Sequence, residues 1–248
     1  MSFLAAPPAP PAPPAPPPTT AARPAGETAA APAVALTARL TRLHARVSPG
    51  VLPAGPGGHV VLPEHLVVGC DRFTTPTGPV RRGGPAEETV GRLRTGEGPD
   101  RLLALRIAGA GTAPGPAGDS WATGLVQVRL ATAEAALHRA ADHLQHRSVQ
   151  GTTTLGLPMV RALVADAAAA IAEARALADT VAALAPGGAV RADLLHRAHR
   201  ALDESGRTTL HLMGAIGFLT AGPGAVLRAS ELLGDAYAPV PVTAGETS

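Results

Sequence analysis

The sequence predicts a mainly α protein in which a C-terminal antiparallel four-helix bundle follows a small β-containing segment and a disordered Pro/Ala-rich arm. Three observations predict this class. Prolines concentrate at the N-terminus, short apolar runs between Gly and Pro come next, and helical apolar periodicity fills the rest. We therefore divide the chain into an arm (1–35), a small irregular or β-containing segment (36–118), a helical bundle domain (119–238) and a flexible tail (239–248).

The N-terminal arm is dominated by proline. Residues 1–35 contain eleven prolines, most of them between Pro7 and Pro18. Proline fixes φ and lacks an amide donor, so such a segment favours extended polyproline II and does not build a core. We expect the arm to be disordered. A docking motif for an SH3-like groove, or a spacer between fused partners, is the alternative interpretation.

The middle segment combines one amphipathic run with short apolar pieces. The run ALTARLTRLHARV begins at Ala35, and the pieces HVVLPEHLVVGC and RLLALRIAGAG follow between Gly- and Pro-rich breaks. This pattern predicts a few β-strands joined by loops, and one interpretation of the segment is the remnant of a middle β domain. Cys70 is the single cysteine. It excludes an internal disulfide framework and a Cys-based zinc ribbon, indicates a reducing compartment, and is expected to be a small buried hydrophobe.

Helical periodicity fills the last half of the chain. Asp119 or Ser120 is expected to cap the first helix, and Pro186-Gly187-Gly188 is expected to stop the second. The predicted helices cover residues 119–147, 158–184, 190–212 and 223–233. Their seams are rich in alanine, which buries little apolar area, so we expect the bundle to need a partner surface.

Charge and composition exclude several classes of function. The formal net charge is only +2, and there are one Trp, one Tyr and three Phe. A basic patch and an aromatic stacking platform are both missing, so nucleic-acid binding is not expected. No apolar stretch is long enough to insert into a membrane, and the N-terminus does not resemble a signal peptide. We therefore expect a cytoplasmic protein.

Histidines on the first long helix are a candidate metal site. His138, Asp142 and His146 are spaced i, i+4 and i+8, which puts them on one helix face. No second helix supplies an obvious carboxylate, so a polar outer face is the favoured interpretation. The same surface interpretation applies to His196, His199, Asp203 and Glu204. The motifs GxGxxG, GxSxG, HExxH and the P-loop are absent from the sequence.

Three segments in order carry a more specific pattern. A long helix ends at Arg147-Ser148-Val149-Gln150-Gly151, the next helix contains Val164-Ala165-Asp166, and a third ends in HLMGAIGF at His211 to Phe218. Over about residues 120–235 this order resembles the C-terminal domain of the acyl-CoA dehydrogenase family, in which R-x-x-F-G, Leu-Ala-Asp and Q-x-x-G-G-x-G-F follow one another.

The resemblance implies FAD-dependent α,β-desaturation of an acyl-CoA thioester, by a homodimer or by a heteromer with a full-length acyl-CoA dehydrogenase. It implies that Arg147 reaches the FAD pyrophosphate across a subunit interface. It also implies that glycine backbone approaches the adenosine diphosphate portion at Gly214 and Gly217, and Gly151 completes the candidate cofactor-binding set.

This chain departs from the family pattern at several positions. Gln150 replaces the motif's Phe, and His211 and Met213 replace its Gln and His. The family takes its catalytic base from one of two places, which by spacing correspond to about Trp121 and to Tyr237-Ala238, and neither offers a Glu. The catalytic residue of this chain is therefore unknown. Trp121 is expected to be a core anchor, as is Phe218.

Two alternative interpretations remain open. We expect no counterpart of the family's N-terminal helical domain in this sequence, where the Pro/Ala-rich arm takes its place. Together with the missing base, this favours a non-catalytic assembly or regulatory subunit that retains the helical dimerisation domain. The third interpretation is an Ala-rich helical domain whose motif matches are coincidental.

Overall fold

The computed structural model describes residues 35–83, 86–96, 99–149, 151–220 and 222–240. The predicted disordered arm lies outside these residues apart from Ala35, and so does the predicted tail from residue 241 onward. The described α-helices are α1 Leu36–Val47, α2 Glu64–Gly69, α3 Gly115–His146, α4 Pro158–Ala183, α5 Ala189–Met213 and α6 Ala225–Tyr237. The predicted fold class is confirmed: a bundle of α3 to α6 follows a small β-containing segment.

Eight short strands accompany these helices in the described chain. They are β1 Val51–Leu52, β2 His59–Pro63, β3 Arg72–Thr75, β4 Gly78–Arg81, β5 Glu87–Arg94, β6 Arg101–Ile107, β7 Ser148–Val149 and β8 Thr152–Thr153. They form two three-stranded sheets, β1-β3-β4 and β2-β6-β5, and a two-stranded hairpin, β7-β8. Only β1 and β3 pair in parallel among the described strands. A β-bulge between Thr89 and Gly91 interrupts the register of β5 against β6.

The first bundle helix begins earlier than predicted. α3 begins at Gly115 after Pro114, so the predicted caps Asp119 and Ser120 lie inside the helix and that prediction was wrong. A proline in the first turn suits the helix start because its missing N–H would have no intrahelical partner there. Gly118 also permits it, since a Cβ there would lie 2.0 Å from the Ala113 carbonyl oxygen.

The connection between α4 and α5 is held by a buried arginine. Arg191 donates a 2.6 Å hydrogen bond to the carbonyl of Val181 near the end of α4. It also donates to Thr123 Oγ1 on α3 at 2.7 Å, and its Nε lies 3.7 Å from the Asp119 carboxylate. A guanidinium near a helix C-terminus satisfies carbonyl groups that have no intrahelical donor. One side chain therefore ties three helices together at this end of the bundle.

One core is shared by the β-containing segment and the bundle. Its buried side chains come from the sheets, from α1 and from α3 and α6, and they include Leu40, Phe73, Leu105, Leu125 and Leu233. The division of the chain between residues 118 and 119 stays a prediction. Cys70 is buried in this core, as expected.

The turn before β2 packs directly on the backbone of α6. A Cβ on Gly55 would lie 1.7 Å from the carbonyl oxygen of Ala236, a separation that requires the backbone to move. We expect Gly55→Ala to lower the free energy of unfolding by about 1–3 kcal/mol, because overpacking a rigid contact costs that much. Gly69→Ala is the matched control, because its Cβ would meet nothing within 4 Å. Urea denaturation of both variants tests this contact, and equal stabilities would contradict it.

Candidate functional site

The predicted cofactor arginine lies just past the end of α3. Arg147 has extended backbone and is exposed, and its carbonyl accepts hydrogen bonds from Thr154 N at 2.7 Å and Thr154 Oγ1 at 2.9 Å. No hydrogen bond or ion pair joins its guanidinium to another described residue. Gly151 follows in the turn of the β7-β8 hairpin with φ +81°, and Gln150 lies outside the described residues. The Arg147 guanidinium is therefore exposed, and no residue in the described ranges pairs with it.

The other two predicted residues lie in the turn after α5. Gly214 ends the helix with φ +59°, a conformation that favours glycine, and a Cβ there would meet nothing within 4 Å. Gly217 is buried, and its Cβ would lie 2.9 Å from the carbonyl oxygen of Leu210. Arg228 on α6 fixes this turn by donating to the carbonyls of Gly217 and Leu219, both at 2.6 Å.

The two predicted segments come to the same end of the bundle. One hydrophobic cluster contains Leu144 near the end of α3, Met213 at the end of α5 and Leu155 between the hairpin and α4. The ends that carry Arg147 and Gly214 therefore pack around common side chains.

A cleft of about 680 Å³ lies beside this end of the bundle. Arg139 and His143 on α3, Ile216 on the turn after α5, and Thr95 and Asp100 beside the β5–β6 connection are among the residues that line it. Arg139 and His143 are one helical turn apart, and Arg147 follows four residues later. A guanidinium and an imidazole beside small apolar side chains can bind an anionic group attached to an apolar body.

The two positions that correspond to the family's catalytic base come together in the core. Trp121 and Tyr237 are 5% and 4% exposed, and their ring centroids lie 5.6 Å apart in an edge-to-face contact. The Tyr237 hydroxyl accepts a hydrogen bond from Val61 N at 2.9 Å and donates to the Pro53 carbonyl at 3.1 Å. Burial raises the pKa of Tyr237 well above its usual range, so the phenol stays protonated. Neither side chain can serve as a general base.

Of the two expected aromatic anchors, only Trp121 is one. Its core role is confirmed, whereas Phe218 is 65% exposed and the prediction for it was wrong. The physical reason lies next to it, because the turn buries the backbone of Gly217 and leaves the Phe218 side chain outside.

A buried polar cluster that sequence reasoning missed joins α3, α5 and α6. Arg129 is fully buried and donates through Nη1 to His199 Nδ1 at 2.6 Å and through Nε to Ser230 Oγ at 3.2 Å. Its Nη2 donates to the carboxylate of Asp203. We call these four residues the Arg129 cluster. The predicted surface roles of His199 and Asp203 were wrong, because both face this guanidinium inside the bundle.

Burial governs the protonation of the cluster. It raises the pKa of Asp203 above its usual range, although the adjacent guanidinium of Arg129 acts in the opposite direction. Burial, with the same cation beside it, lowers the pKa of His199 well below the ordinary value. Burial also lowers the pKa of Arg129, but a guanidinium remains charged in proteins. The cluster therefore holds one cation against a carboxylate and a neutral imidazole.

A sequence signal for this cluster exists in retrospect. Arg129 interrupts an otherwise apolar helix face at a position between Val126 and Ala133, which are spaced for burial. His199 and Asp203 are spaced i and i+4 on the helix that packs against it. An arginine on a buried face needs such an acceptor pair.

The candidate metal site has no support within the described ranges. No group of three or more His, Cys, Asp or Glu side chains there could hold a metal ion. His138 and His146 lie on the exposed face, where their Nδ1 atoms contact the carbonyls of Glu134 and Asp142 at 2.8 and 2.7 Å. Separately, no helix in the described part of the chain has the length and apolarity to cross a membrane.

The packing of Arg129 against α6 requires a glycine at position 234. A Cβ on Gly234 would lie 2.3 Å from Arg129 Nη1, whereas on Gly206 it would come no nearer than 3.9 Å to Leu227 Cδ2. We expect Gly234→Ala to lower the free energy of unfolding by about 2–4 kcal/mol, because it displaces a buried, paired guanidinium. Gly206→Ala should raise it by about 0.5–1 kcal/mol through helix propensity. Urea denaturation measures both, and a neutral Gly234→Ala would contradict the packing described here.

Comparisons with known proteins agree on the fold. No protein-family model matches the chain, and no curated protein matches it. Solved structures do match: butyryl-CoA dehydrogenase from Megasphaera elsdenii has a TM-score of 0.50 at 16% identity, covering 77% of this chain and 59% of that one. A putative acyl-CoA dehydrogenase from Mycobacterium smegmatis has a TM-score of 0.50 at 17% identity, covering 74% and 58%.

The extent of these matches limits what they establish. The chain spans less than three-fifths of the length of the acyl-CoA dehydrogenases it matches, and identities below a fifth carry the fold alone. The chain has an acyl-CoA dehydrogenase-like fold.

Proposed function

We propose that this chain is a subunit of an acyl-CoA dehydrogenase-like flavoprotein oxidoreductase and acts only together with a partner subunit. The partner is a second copy or a full-length acyl-CoA dehydrogenase, and the reaction is α,β-desaturation of an acyl-CoA thioester. The observation that carries the proposal is the exposed Arg147 guanidinium, which no described residue pairs, at the bundle end that also presents Gly214. The acyl-CoA dehydrogenase-like fold supports the same assignment.

The residues at this end fit one part of FAD. An unpaired guanidinium suits a diphosphate because it donates hydrogen bonds to two oxygens at once. The open space beside Gly214 suits close approach of a ligand to backbone. These residues would hold the diphosphate end of the cofactor, and FAD supplies hydride acceptance when bound. Because Arg147 and Gly214 lie on the surface, we infer that a neighbouring subunit encloses the rest of the FAD molecule.

The chain's own contribution is to bind and orient, and not to remove the α-proton. The positions that correspond to the family's base hold Trp121 and Tyr237, which contact each other in the core. A general base must lie within hydrogen-bond reach of the proton it abstracts, and these side chains offer no carboxylate. We therefore assign the base to the partner subunit.

A second candidate function is favoured by the same aromatic pair. Because Trp121 and Tyr237 commit both base positions to packing, the bundle also suits a non-catalytic assembly or regulatory subunit. Such a subunit would bind its partner and leave the flavin content unchanged.

Flavin content separates the two functions. The chain is purified alone and co-expressed with a full-length dehydrogenase encoded beside it, and FAD per partner subunit is measured from absorbance and from chromatography of the released cofactor. If this chain completes the cofactor site of its partner, the complex should contain more FAD per partner subunit than the partner alone. Equal flavin content in both samples supports the assembly role, and a chain that associates neither with itself nor with the dehydrogenase contradicts both functions.

Arg147→Ala tests the proposed cofactor contact. We expect the variant complex to bind FAD about 10–100-fold more weakly, because a hydrogen bond to a charged group contributes about 1.5–3 kcal/mol. Equilibrium dialysis of the complex against FAD measures the change. Arg101→Ala is the control, since Arg101 is another exposed arginine, on β6. Unchanged FAD affinity in Arg147→Ala, with helix content and complex formation intact, would overturn the assignment.

A further inference from the structure

The Arg129 cluster contains a histidine that cannot gain a proton where it lies. His199 is 2% exposed, and its Nε2 is buried without a hydrogen-bond partner among the described residues. Its Nδ1 lies 2.6 Å from Arg129 Nη1. A guanidinium only donates hydrogen bonds, so Nδ1 must accept and the imidazole must be neutral with its proton on Nε2.

Protonation of His199 would replace its hydrogen bond with Arg129 by electrostatic repulsion. A proton on Nδ1 would face the N–H of Arg129 and place two cations within hydrogen-bond distance of each other. Arg129 and His199 are 0% and 2% exposed, so neither cation can reach solvent while the helices stay in place. Relief therefore requires α3 and α5 to move apart.

The charges around the pair do not compensate a second cation. On α5, Asp203 is already bonded to Arg129, and His196 adds repulsion when it is charged. On α6, Glu231 pairs with Arg207 at 2.6 Å, and Asp235 is exposed. No carboxylate among these groups contacts His199 directly in the described structure.

We propose that the Arg129–His199 contact is an acid-sensitive junction that holds α6 and α5 against α3 at neutral pH and releases them when His199 is protonated. Ser230 ties α6 to the same guanidinium, so a shift of Arg129 reaches all three helices. The proposed junction rests on the contacts of Arg129 and not on the proposed cofactor role.

The direction of the pH effect follows from linkage. His199 binds a proton less readily in the folded chain than in the open or unfolded chain, where the ordinary value near 6.5 applies. The folded state therefore binds fewer protons, so its stability is fully present above about pH 6.5 and falls as the pH drops below it. Between pH 7.5 and 5.5 this single group raises the opening constant about tenfold.

His199→Gln tests the junction, because glutamine can accept from Arg129 but does not titrate. Unfolding constants from urea denaturation at pH 7.5 and 5.5 are compared for the wild type, this variant and His138→Gln, which replaces an exposed histidine. We expect the unfolding constants of the wild type and of His138→Gln to rise by the same factor between pH 7.5 and 5.5. The rise for His199→Gln should be about tenfold smaller. Asp203 titrates in all three proteins and cancels in the comparison. A wild-type response in His199→Gln would overturn the proposal.

The wild-type protein provides a second measurement, which decides if His199→Gln does not fold. Proton–nitrogen correlation spectra should show His199 protonated on Nε2 at pH 7.5. Hydrogen-exchange protection factors, which correct for the slower intrinsic exchange at lower pH, should fall in α6 and α5 between pH 7.5 and 5.5. Titration of His199 near pH 6.5 with unchanged protection in α6 and α5 would overturn the proposal.

Discussion

The packing of the bundle depends on one buried guanidinium. Most side chains at the helix contacts are alanine or leucine, which tolerate small shifts of one helix along another. Arg129 does not tolerate them, because its three nitrogens donate to groups on two other helices. A buried ion pair adds little net stability after desolvation, but breaking it is costly. The cluster therefore fixes the relative positions of α3, α5 and α6 more than it strengthens them.

The second constraint joins the bundle to the β-containing segment. Tyr237 at the end of α6 bonds to backbone groups of Pro53 and Val61 and packs its ring against Trp121 on α3. In a chain with so few aromatic residues, this pair brings two rings together in the core that the bundle shares with the β-containing segment. The same packing explains why the positions at which the family resemblance expects a base hold none. Rings that seal a core cannot also be solvated proton acceptors.

Elements whose bounds are set by neighbouring residues were predicted better than elements that depend on residues far apart in sequence. The bounds of α4 were predicted to within one residue, because Pro158 begins the helix and Pro186-Gly187-Gly188 prevents its continuation. The start of α3 was predicted too late, since Asp119 is a residue type typical of helix caps but lies inside the helix near Arg191. The strands were expected without a register, because pairing such as that of β5 with β6 depends on residues far apart in sequence.

Side-chain partnerships could not be predicted for a related reason. The spacing of His199 and Asp203 shows that they share a helix face, but not which face meets α3. Polar residues on helices are mostly exposed, so a surface role was the reasonable expectation for His199 and Asp203. The buried Arg129, to which both side chains bond, is the reason that this expectation fails. Arg147 and Gly214 could be placed at helix ends from sequence. The cofactor roles of Arg147, Gly151, Gly214 and Gly217 remain predictions. Such roles depend on a subunit interface that one sequence does not contain.

The two proposed properties lie far apart along the axis of α3, with Arg129 inside the helix and Arg147 just past its end. Arg129 and Arg147 are 18 residues apart, which is about 27 Å along a helix. Opening at the Arg129 cluster would loosen α5, and α5 ends in the turn that carries Gly214. A ligand or partner at that turn would bind the closed bundle preferentially and would therefore oppose acid opening by mass action. Occupancy at one end of the bundle and protonation in its middle would then be thermodynamically linked through α5, without any contact between the two sites.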